Sequence, residues 1–306
     1  MPPPSRLLLL SLLLLPPAYP RSAPAQVFLS PGLEAAAGYA SNRFLDGEEE
    51  GSAYHRLVPR LELTAFAPAG TEVHLMGIYS LTDYSRSGFE EIEETRGEAA
   101  VSTSLGNLTG TLAATVGRYT DGALPDDDSR WVSLEPSVAW AAGQTVTLSL
   151  SGAVTATRYD SRDTSDEGNQ RDTRWEIRPA GYWMPTSALQ VWGEGYGEHN
   201  RSNEAREEYS GFGGALGLDA FPLERARVGA WVRYGVRNYR SDEGSDRRDT
   251  PLSAGLWTAV RLAPWAELTA SATWADYQST DPASEYGAWT GEFGLRFVYD
   301  WEATSR

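Results

Sequence analysis

The chain has 306 residues, with 26 basic residues against 42 acidic ones, a formal net charge of −16 and no Cys. Without Cys it forms no disulfide, no thiolate metal site and no lipid-modified N-terminal Cys. No Lys occurs, so Arg supplies every fixed positive charge. A strongly acidic chain without a basic stripe argues against nucleic-acid binding.

The N-terminal 25 residues are predicted to be a signal peptide. Arg6 gives a weakly positive start, residues 7–15 form an apolar run, and Ala23-Pro24-Ala25 fits a small-x-small cleavage site. The apolar run is too short to span a bilayer as a helix, although an apolar N-terminal anchor is the alternative. We therefore expect an exported chain that begins at Gln26 and forms a single domain over residues 26–306. Past residue 26 no apolar run approaches the roughly 18 residues of a transmembrane helix.

Strand periodicity is clearest between Arg130 and Ser161. Two long arms flank the short turn AAGQ, and in the second arm Val146, Leu148 and Leu150 share one parity while Thr and Ser occupy the other. A period of two over more than about ten residues is typical of a β-strand with one apolar and one polar face. The same hairpin pattern recurs along the chain from residue 26 onward.

Short turns and longer polar loops alternate between these arms. Seven polar segments, such as SRDTSDEGNQRD, separate the hairpins. Six turn signals fall at Ala67-Pro68-Ala69-Gly70, Gly106-Asn107, Ala142-Gly143, Pro185-Thr186, Pro222-Leu223 and Ala263-Pro264. Six turns and seven loops predict about fourteen strands, and arms of about twelve residues suit tilted membrane strands, which need ~9–11. We therefore predict an all-β fold, an up-and-down antiparallel transmembrane β-barrel; a soluble β-protein is the alternative.

Aromatic residues recur at both ends of the predicted strands. A Tyr ends most ascending strands, and we expect these side chains to form a ring at the headgroup layer. That ring would comprise Tyr84, Tyr119, Tyr159, Tyr239 and Tyr277, with His199 in place of a sixth Tyr. Trp131, Trp175 and Phe212 lie near the same height, whereas Trp140, Trp183, Phe66, Phe221 and Trp265 lie at the opposite rim.

Four prolines conflict with an uninterrupted barrel. Pro59, Pro136 and Pro179 lie inside descending strands, and Pro251 lies near the start of another. Proline cannot donate to the ladder, and a closed barrel has no free edge. We expect bulges or missing hydrogen bonds at these positions.

The last predicted strand, GEFGLRFVYDW, carries a more specific pattern. Glu292-x-Gly294-x-x-Phe297-x-Tyr299 resembles the C-terminal β-signal of Gram-negative outer-membrane barrels, which is polar, x, Gly, x, x, apolar, x, aromatic. It departs from that signal because residues 300–306 follow the aromatic. The resemblance implies a place in the outer membrane, contact with its lipid and lipopolysaccharide, and recognition of the last strand by the assembly machinery.

Charged residues on the polar parity are expected to face the lumen. A charge against lipid costs roughly 2–4 kcal/mol for Arg at the bilayer midplane, which favours the inward assignment. The candidate lumen-lining residues are Arg56, Arg60, Glu62, Glu135, Arg178, Glu194, Arg227, Arg233, Arg237, Arg261, Glu267, Glu292 and Arg296. They could line a wet channel or pair into a mesh that closes it. Three of them on one strand, Arg227, Arg233 and Arg237, could favour anions, although pairing with Glu on neighbouring strands is the simpler interpretation.

Catalytic equipment is sparse in the sequence. The chain has three His, and only one, His199, lies close to other candidate catalytic side chains, in the segment 198–203. No metal-ligand spacing or phosphate-binding glycine loop occurs, and the acidic loops are expected to be solvated. We therefore expect no catalytic site, no cofactor and no metal.

Two functions remain open from the sequence. The leading hypothesis is a passive, porin-like channel for small polar solutes. The alternative is a non-enzymatic structural or docking barrel of a trans-envelope complex for secretion, polymer export or motility, with periplasmic or envelope partners. A surface enzyme is a third and weaker hypothesis.

Overall fold

The computed structural model is a single antiparallel sheet of strands in sequence order. It describes residues 26–43, 45, 50–67, 70–86, 88–163, 168–240 and 247–303. The predicted signal peptide, residues 1–25, lies outside the described residues. The strands are β1 Gln26–Ala40, β2 Ser52–Ala67, β3 Thr71–Tyr84, β4 Ile92–Leu105, β5 Leu108–Asp121, β6 Ser129–Ala141, β7 Val146–Asp163, β8 Asn169–Thr186, β9 Leu189–Ser202, β10 Tyr209–Leu223, β11 Ala226–Tyr239, β12 Arg248–Ala263, β13 Ala266–Ser279, β14 Tyr286–Val298 and the short β15 Trp301–Ala303.

The sheet closes between its first and last long strands. Gly32 to Ala40 pair with Val298 to Thr290, which joins β1 to β14. After a break at Tyr299 and Asp300, β15 continues the ladder by pairing with residues 27–29. The predicted up-and-down barrel of about fourteen strands is confirmed, and closure pairs the strand edges that an open sheet would expose.

The loops have two lengths, which define the ends of the barrel. Six short connections of two to four residues form the short-turn end, and seven longer ones form the long-loop end. Within the described parts of the long loops lie three one-turn 3₁₀ helices, Pro125–Asp127, Ala205–Glu207 and Pro282–Ser284. No helix in the described ranges is both long and apolar enough to cross a membrane.

The predicted turn positions agree with the structure at four of six places. Gly106 has a φ of 61°, a left-handed conformation that favours glycine, at the predicted tight turn between β4 and β5. Two strands continue past the predicted turns at Pro185-Thr186 and Pro222-Leu223, so that the connections follow at 187–188 and 224–225 instead. The prolines of these two turn signals, Pro185 and Pro222, lie among the last paired residues of β8 and β10. Shifts in strand register accommodate them there.

The four strand prolines interrupt the ladder without bulging it. Beside Pro59, for example, pairing stops after Leu57↔Leu81 and resumes at Arg60↔Ile78 in the same register. Equivalent two-residue gaps lie beside Pro136, Pro179 and Pro251. Each proline keeps its pairing with the neighbour on its other side. The prediction of missing bonds is confirmed; bulges do not form there because the missing N–H removes a bond without requiring an extra residue.

The apolar band covers the outside of the closed sheet. Alternate positions of successive strands expose large apolar side chains, such as Leu112 and Val116 on β5, Leu148 and Leu150 on β7, and Leu216 on β10. A soluble β-protein would bury such a face. An exposed apolar band around a closed sheet is the surface that lipid requires.

Candidate functional site: the barrel lumen

Charged side chains on the inner face pair across several strands. Arg56 of β2 lies between Glu34 of β1 and Glu292 of β14, with Nη2 2.5 Å from Glu34 Oε1 and 2.6 Å from Glu292 Oε1. This triad spans the seam that closes the barrel. It joins residues that are 236 positions apart in the chain, so only closure brings them together.

Two arginines of β11 reach over β10 to glutamates of β9. Arg233 Nη2 lies 2.7 Å from Glu194 Oε1, and Arg237 Nε lies 2.8 Å from Glu198 Oε1. Between the paired residues, β10 presents only Gly211, Gly213 and Ala215 on this face. A Cβ on Gly211 would lie 3.1 Å from both Arg237 and Glu198, so the missing side chain is what lets this pair bridge the strand.

A third cluster lies toward the short-turn end. Glu267 of β13 accepts from Arg227 on β11, with Nη2 2.6 Å from Oε1, and also from Arg296 on β14. The carboxylate therefore serves two guanidiniums, one on each side of its own strand. This sharing leaves the cluster with one excess positive charge.

The structure places the remaining predicted lumen residues on the same face. Arg178 pairs with Glu176 on its own strand, Glu62 lies 3.6 Å from the His74 ring, and Glu135 accepts from Ser133. Arg60 and Arg261 form no ion pair with the described part of the chain. Pairing along the wall is thus the rule for the predicted set, while its effect on solutes stays a prediction.

The side chains of the paired arginines are partly exposed. The side chains of Arg56, Arg178, Arg227, Arg233, Arg237 and Arg296 are 19% to 37% exposed. Ion pairs with this exposure are screened by water and hold the wall together only weakly. The pairs therefore lie along the lumen wall rather than forming a dry core.

Aromatic rings on the inner face lie flat over glycines of neighbouring strands. A Cβ on Gly217 would come within 2.2 Å of the Trp192 ring. The Tyr196 ring covers Gly213 and Gly235 in the same way. These rings are not among the residues predicted from the sequence, although glycines on the inner parity are a usable signal for them. The arrangement keeps large side chains against the wall and out of the lumen centre.

The five strand-end tyrosines face inward, which corrects the prediction of an external ring. Tyr119 donates to Asp121 at 3.1 Å, and Tyr277 donates to Asp249 at 2.7 Å. Tyr84 lies under the Arg43 guanidinium, 4.7 Å from its ring centroid. Tyr159 and Tyr239 also stand under arginines on this face. The physical reason is the pleat, since each Tyr falls on the parity opposite to the apolar positions of its strand.

The aromatic side chains that face outward near the long-loop end are not these tyrosines. Trp175, Phe212, Trp274 and Trp289 are exposed on the outside, and His199 stacks on Trp175 there with ring centroids 5.8 Å apart. Trp131 instead lies over Gly117 on the inner face. At the short-turn end, Trp140, Trp183 and Trp265 are exposed outside as predicted. Phe66 is half-buried and packs edge-on against Phe28.

Buried carboxylates tie the long-loop end together. Both carboxylate oxygens of Asp121 accept hydrogen bonds from Arg43 Nη2 in the first long loop, at 2.8 and 2.7 Å. Both side chains are almost fully buried. Asp249 is fully buried and accepts from Tyr277, Ser279 and Arg247. These carboxylates were not among the predicted site residues, because they lie in segments that read as solvated loops.

The loop between β9 and β10 also contributes to this end. Burial raises the pKa of the Glu207 carboxyl above its ordinary value, and the nearby charges of Arg247 and Arg162 partly offset that rise. Arg247 precedes β12 and Arg162 belongs to β7. Charged residues of separate hairpins therefore lie within electrostatic range of one another at the long-loop end.

Catalytic geometry is incomplete around His199. Its Nδ1 lies 3.0 Å from Ser210 Oγ on the neighbouring strand, on the outside of the barrel. Glu198 faces the lumen instead, and no carboxylate of the described chain contacts the His199 ring. The segment 198–203 is thus divided between two faces of the sheet. Within the described ranges, no group of three or more His, Asp and Glu is placed to hold a metal ion.

Comparisons with known proteins identify the fold. No family model and no curated protein matches the chain. Among solved structures, it is similar to the outer-membrane channel DcaP of Acinetobacter baumannii, with a TM-score of 0.53, 10% identity, and coverage of 92% of this chain and 99% of that one. For the anion-selective porin from Comamonas acidovorans the TM-score is 0.51 at 14% identity, with coverage of 90% of this chain and 100% of the porin. For OmpT of Vibrio cholerae the TM-score is 0.52 at 10% identity, with coverage of 91% of this chain and 99% of OmpT. The fold is that of Gram-negative outer-membrane β-barrels.

Proposed function

We propose that this barrel is a passive, porin-like channel of the Gram-negative outer membrane for small polar solutes. The observation that carries the proposal is the state of the inner wall. Its ion pairs run along the wall and stay partly exposed, and its aromatic rings lie flat over glycines. A sealed barrel would need side chains that meet across the centre.

Other features support the same proposal. In the described ranges every element is a barrel strand or a one-turn helix in a long loop, except β15, which extends the seam. The structures named above as a channel and a porin share this fold at low identity. The exposed apolar band supports a membrane location, with lipid and lipopolysaccharide as surface partners. The last strand is proposed to be the segment read by the assembly machinery.

Single-channel conductance of the refolded protein in a planar bilayer tests the proposal. Stable conductance steps at low voltage are expected from the barrel alone. The absence of conductance steps, from protein whose heat-dependent migration on a gel shows that it is folded, would contradict a channel. The alternative would then be a docking barrel, which should co-purify with periplasmic or envelope partners.

Ion selectivity should respond to the wall charges. Arg233→Glu reverses a charge beside Glu194 in the lumen, so we expect the permeability ratio to shift toward cations. Arg130→Glu makes the same change on a side chain at the outer surface, which pairs with Asp160 and with no other carboxylate of the described residues. The control should leave the ratio nearly unchanged. Equal shifts in both variants would show that net charge, and not the lumen wall, sets selectivity.

A further inference from the structure

An arginine-rich chamber lies within the lumen beneath the long-loop end. Its volume is about 380 Å³, within the range of ~300–1,000 Å³ common for ligand pockets. Four arginines border it, namely Arg174, Arg178, Arg233 and Arg237. The lining strands run from β8 to β14, so the chamber reaches across much of the barrel rather than sitting on one hairpin.

The carboxylates that border this chamber are already engaged. Glu176 pairs with Arg178, and Asp276 accepts from the Gln278 amide at 3.0 Å. Glu198 accepts from Arg237 at 2.8 Å and from the Tyr209 hydroxyl at 3.3 Å. The acceptors of the chamber are therefore used by its own wall, which disfavours a cationic ligand.

Hydrogen-bond donors of the chamber remain unused. Arg174 has an exposed side chain and forms no hydrogen bond or ion pair with the described chain. The hydroxyls of Tyr196 and Tyr286 likewise have no hydrogen-bond partner among the described residues. Arg233 uses one nitrogen on Glu194, and a guanidinium carries five N–H donors in a planar fork. The side-chain groups of the chamber that lack a hydrogen-bond partner among the described residues are thus almost entirely donors.

We infer that the chamber is a binding site for a small solute that carries a carboxylate or phosphate group, with Arg174 as its principal ligand. A planar guanidinium fork matches either oxyanion, and such charge-assisted bonds are among the strong ones. The inference deepens the proposed channel function by naming a solute class, and it rests on that function only for the solute's passage. Asp249, which contacts the chamber wall through Tyr277, does not oppose it because the Arg247 guanidinium pairs with that carboxylate.

Equilibrium dialysis of the folded barrel in detergent tests the site without requiring conductance. Radiolabelled citrate probes the carboxylate class and pyrophosphate probes the phosphate class. We expect saturable binding of at least one of them at one site per barrel, weakened tenfold or more by Arg174→Gln. Tyr286→Phe, which keeps the ring and removes only the hydroxyl, should weaken binding several-fold.

The matched control is Arg60→Gln. Arg60 is also on the lumen face and also without an ion pair in the described chain, but it lies on β2 outside the chamber. Binding should stay within about twofold of the original protein. No saturable binding of either probe, or equal losses in the Arg174 and Arg60 variants, would overturn the site. A barrel that conducts but does not bind would refute this inference alone, whereas binding without conductance would refute the channel alone.

Discussion

Glycines on the inner face matter because of the rings that cover them. Gly217 of β10 pairs with Trp192 of β9 in the ladder, and the ring occupies the volume where a Cβ would stand. Protein interiors are close-packed, so an added methyl there must displace the ring or the backbone. The glycine is therefore a packing requirement and not a flexible point.

Gly217→Ala should destabilise the barrel by about 1–3 kcal/mol, the usual cost of overpacking. Its Cβ would lie 2.2 Å from Trp192 and 2.9 Å from the Ala230 carbonyl oxygen, so two directions are blocked. Urea unfolding in detergent, followed by tryptophan fluorescence, measures the change. Gly110→Ala is the control, since nothing lies within 4 Å of a Cβ there. Equal stability of the two variants would contradict the packing argument.

The wrong placement of the tyrosines came from their height along the strand and not from the parity of the sequence. Counting by twos from Val116 places Tyr119 on the inner face, where the structure has it. The prediction of an external ring used only the height of each Tyr along its strand. The ion-pair partners were beyond sequence reasoning, because Arg56 meets Glu292 only after the whole barrel has closed.

At the scale of elements, a buried ion pair anchors the first long loop to β5. Arg43 belongs to this loop and Asp121 ends β5, so the contact passes over the three strands between them. Their side chains are only 5% and 1% exposed. Removing one partner of a buried pair leaves the other charge uncompensated in a low-dielectric site.

Asp121→Asn should therefore cost about 3–5 kcal/mol of unfolding free energy. The amide keeps one acceptor for the Ala123 and Leu124 N–H groups, which isolates the loss of charge. Asp160→Asn is the matched control, because its pair with Arg130 is 28% and 64% exposed and such pairs contribute only ~0–1 kcal/mol. Urea midpoints of the two variants compare them. Similar midpoints would mean that the Arg43 pair does not hold the loop.

For the whole molecule, the sequence predicted strand number, order and closure. These follow from a regular alternation of short turns and long loops, together with the rule that a membrane sheet must close. The state of the lumen did not follow, because a period of two assigns faces but not how far side chains reach. The chamber at β8–β14 depends on which arginines remain unpaired, and distant strands decide that.

Closure itself should depend on the β1–β14 seam and not on β15. Nine residue pairs join β1 to β14, whereas β15 adds three. Deletion of residues 300–306 leaves all nine and makes Tyr299 the terminal aromatic of the signal-like pattern. We expect this variant to fold, with β-rich circular dichroism and faster migration when unheated than when boiled.

Deletion of residues 292–306 is the contrasting variant. It removes seven of the nine pairs and also Glu292, the shared partner of Arg56 and Tyr54. An open edge would then expose unpaired backbone groups, which is costly in lipid and promotes aggregation. No heat-dependent shift in migration is expected from this variant. Failure of the shorter deletion to fold would instead assign closure to β15 and remove the basis for a recognition signal ending at Tyr299.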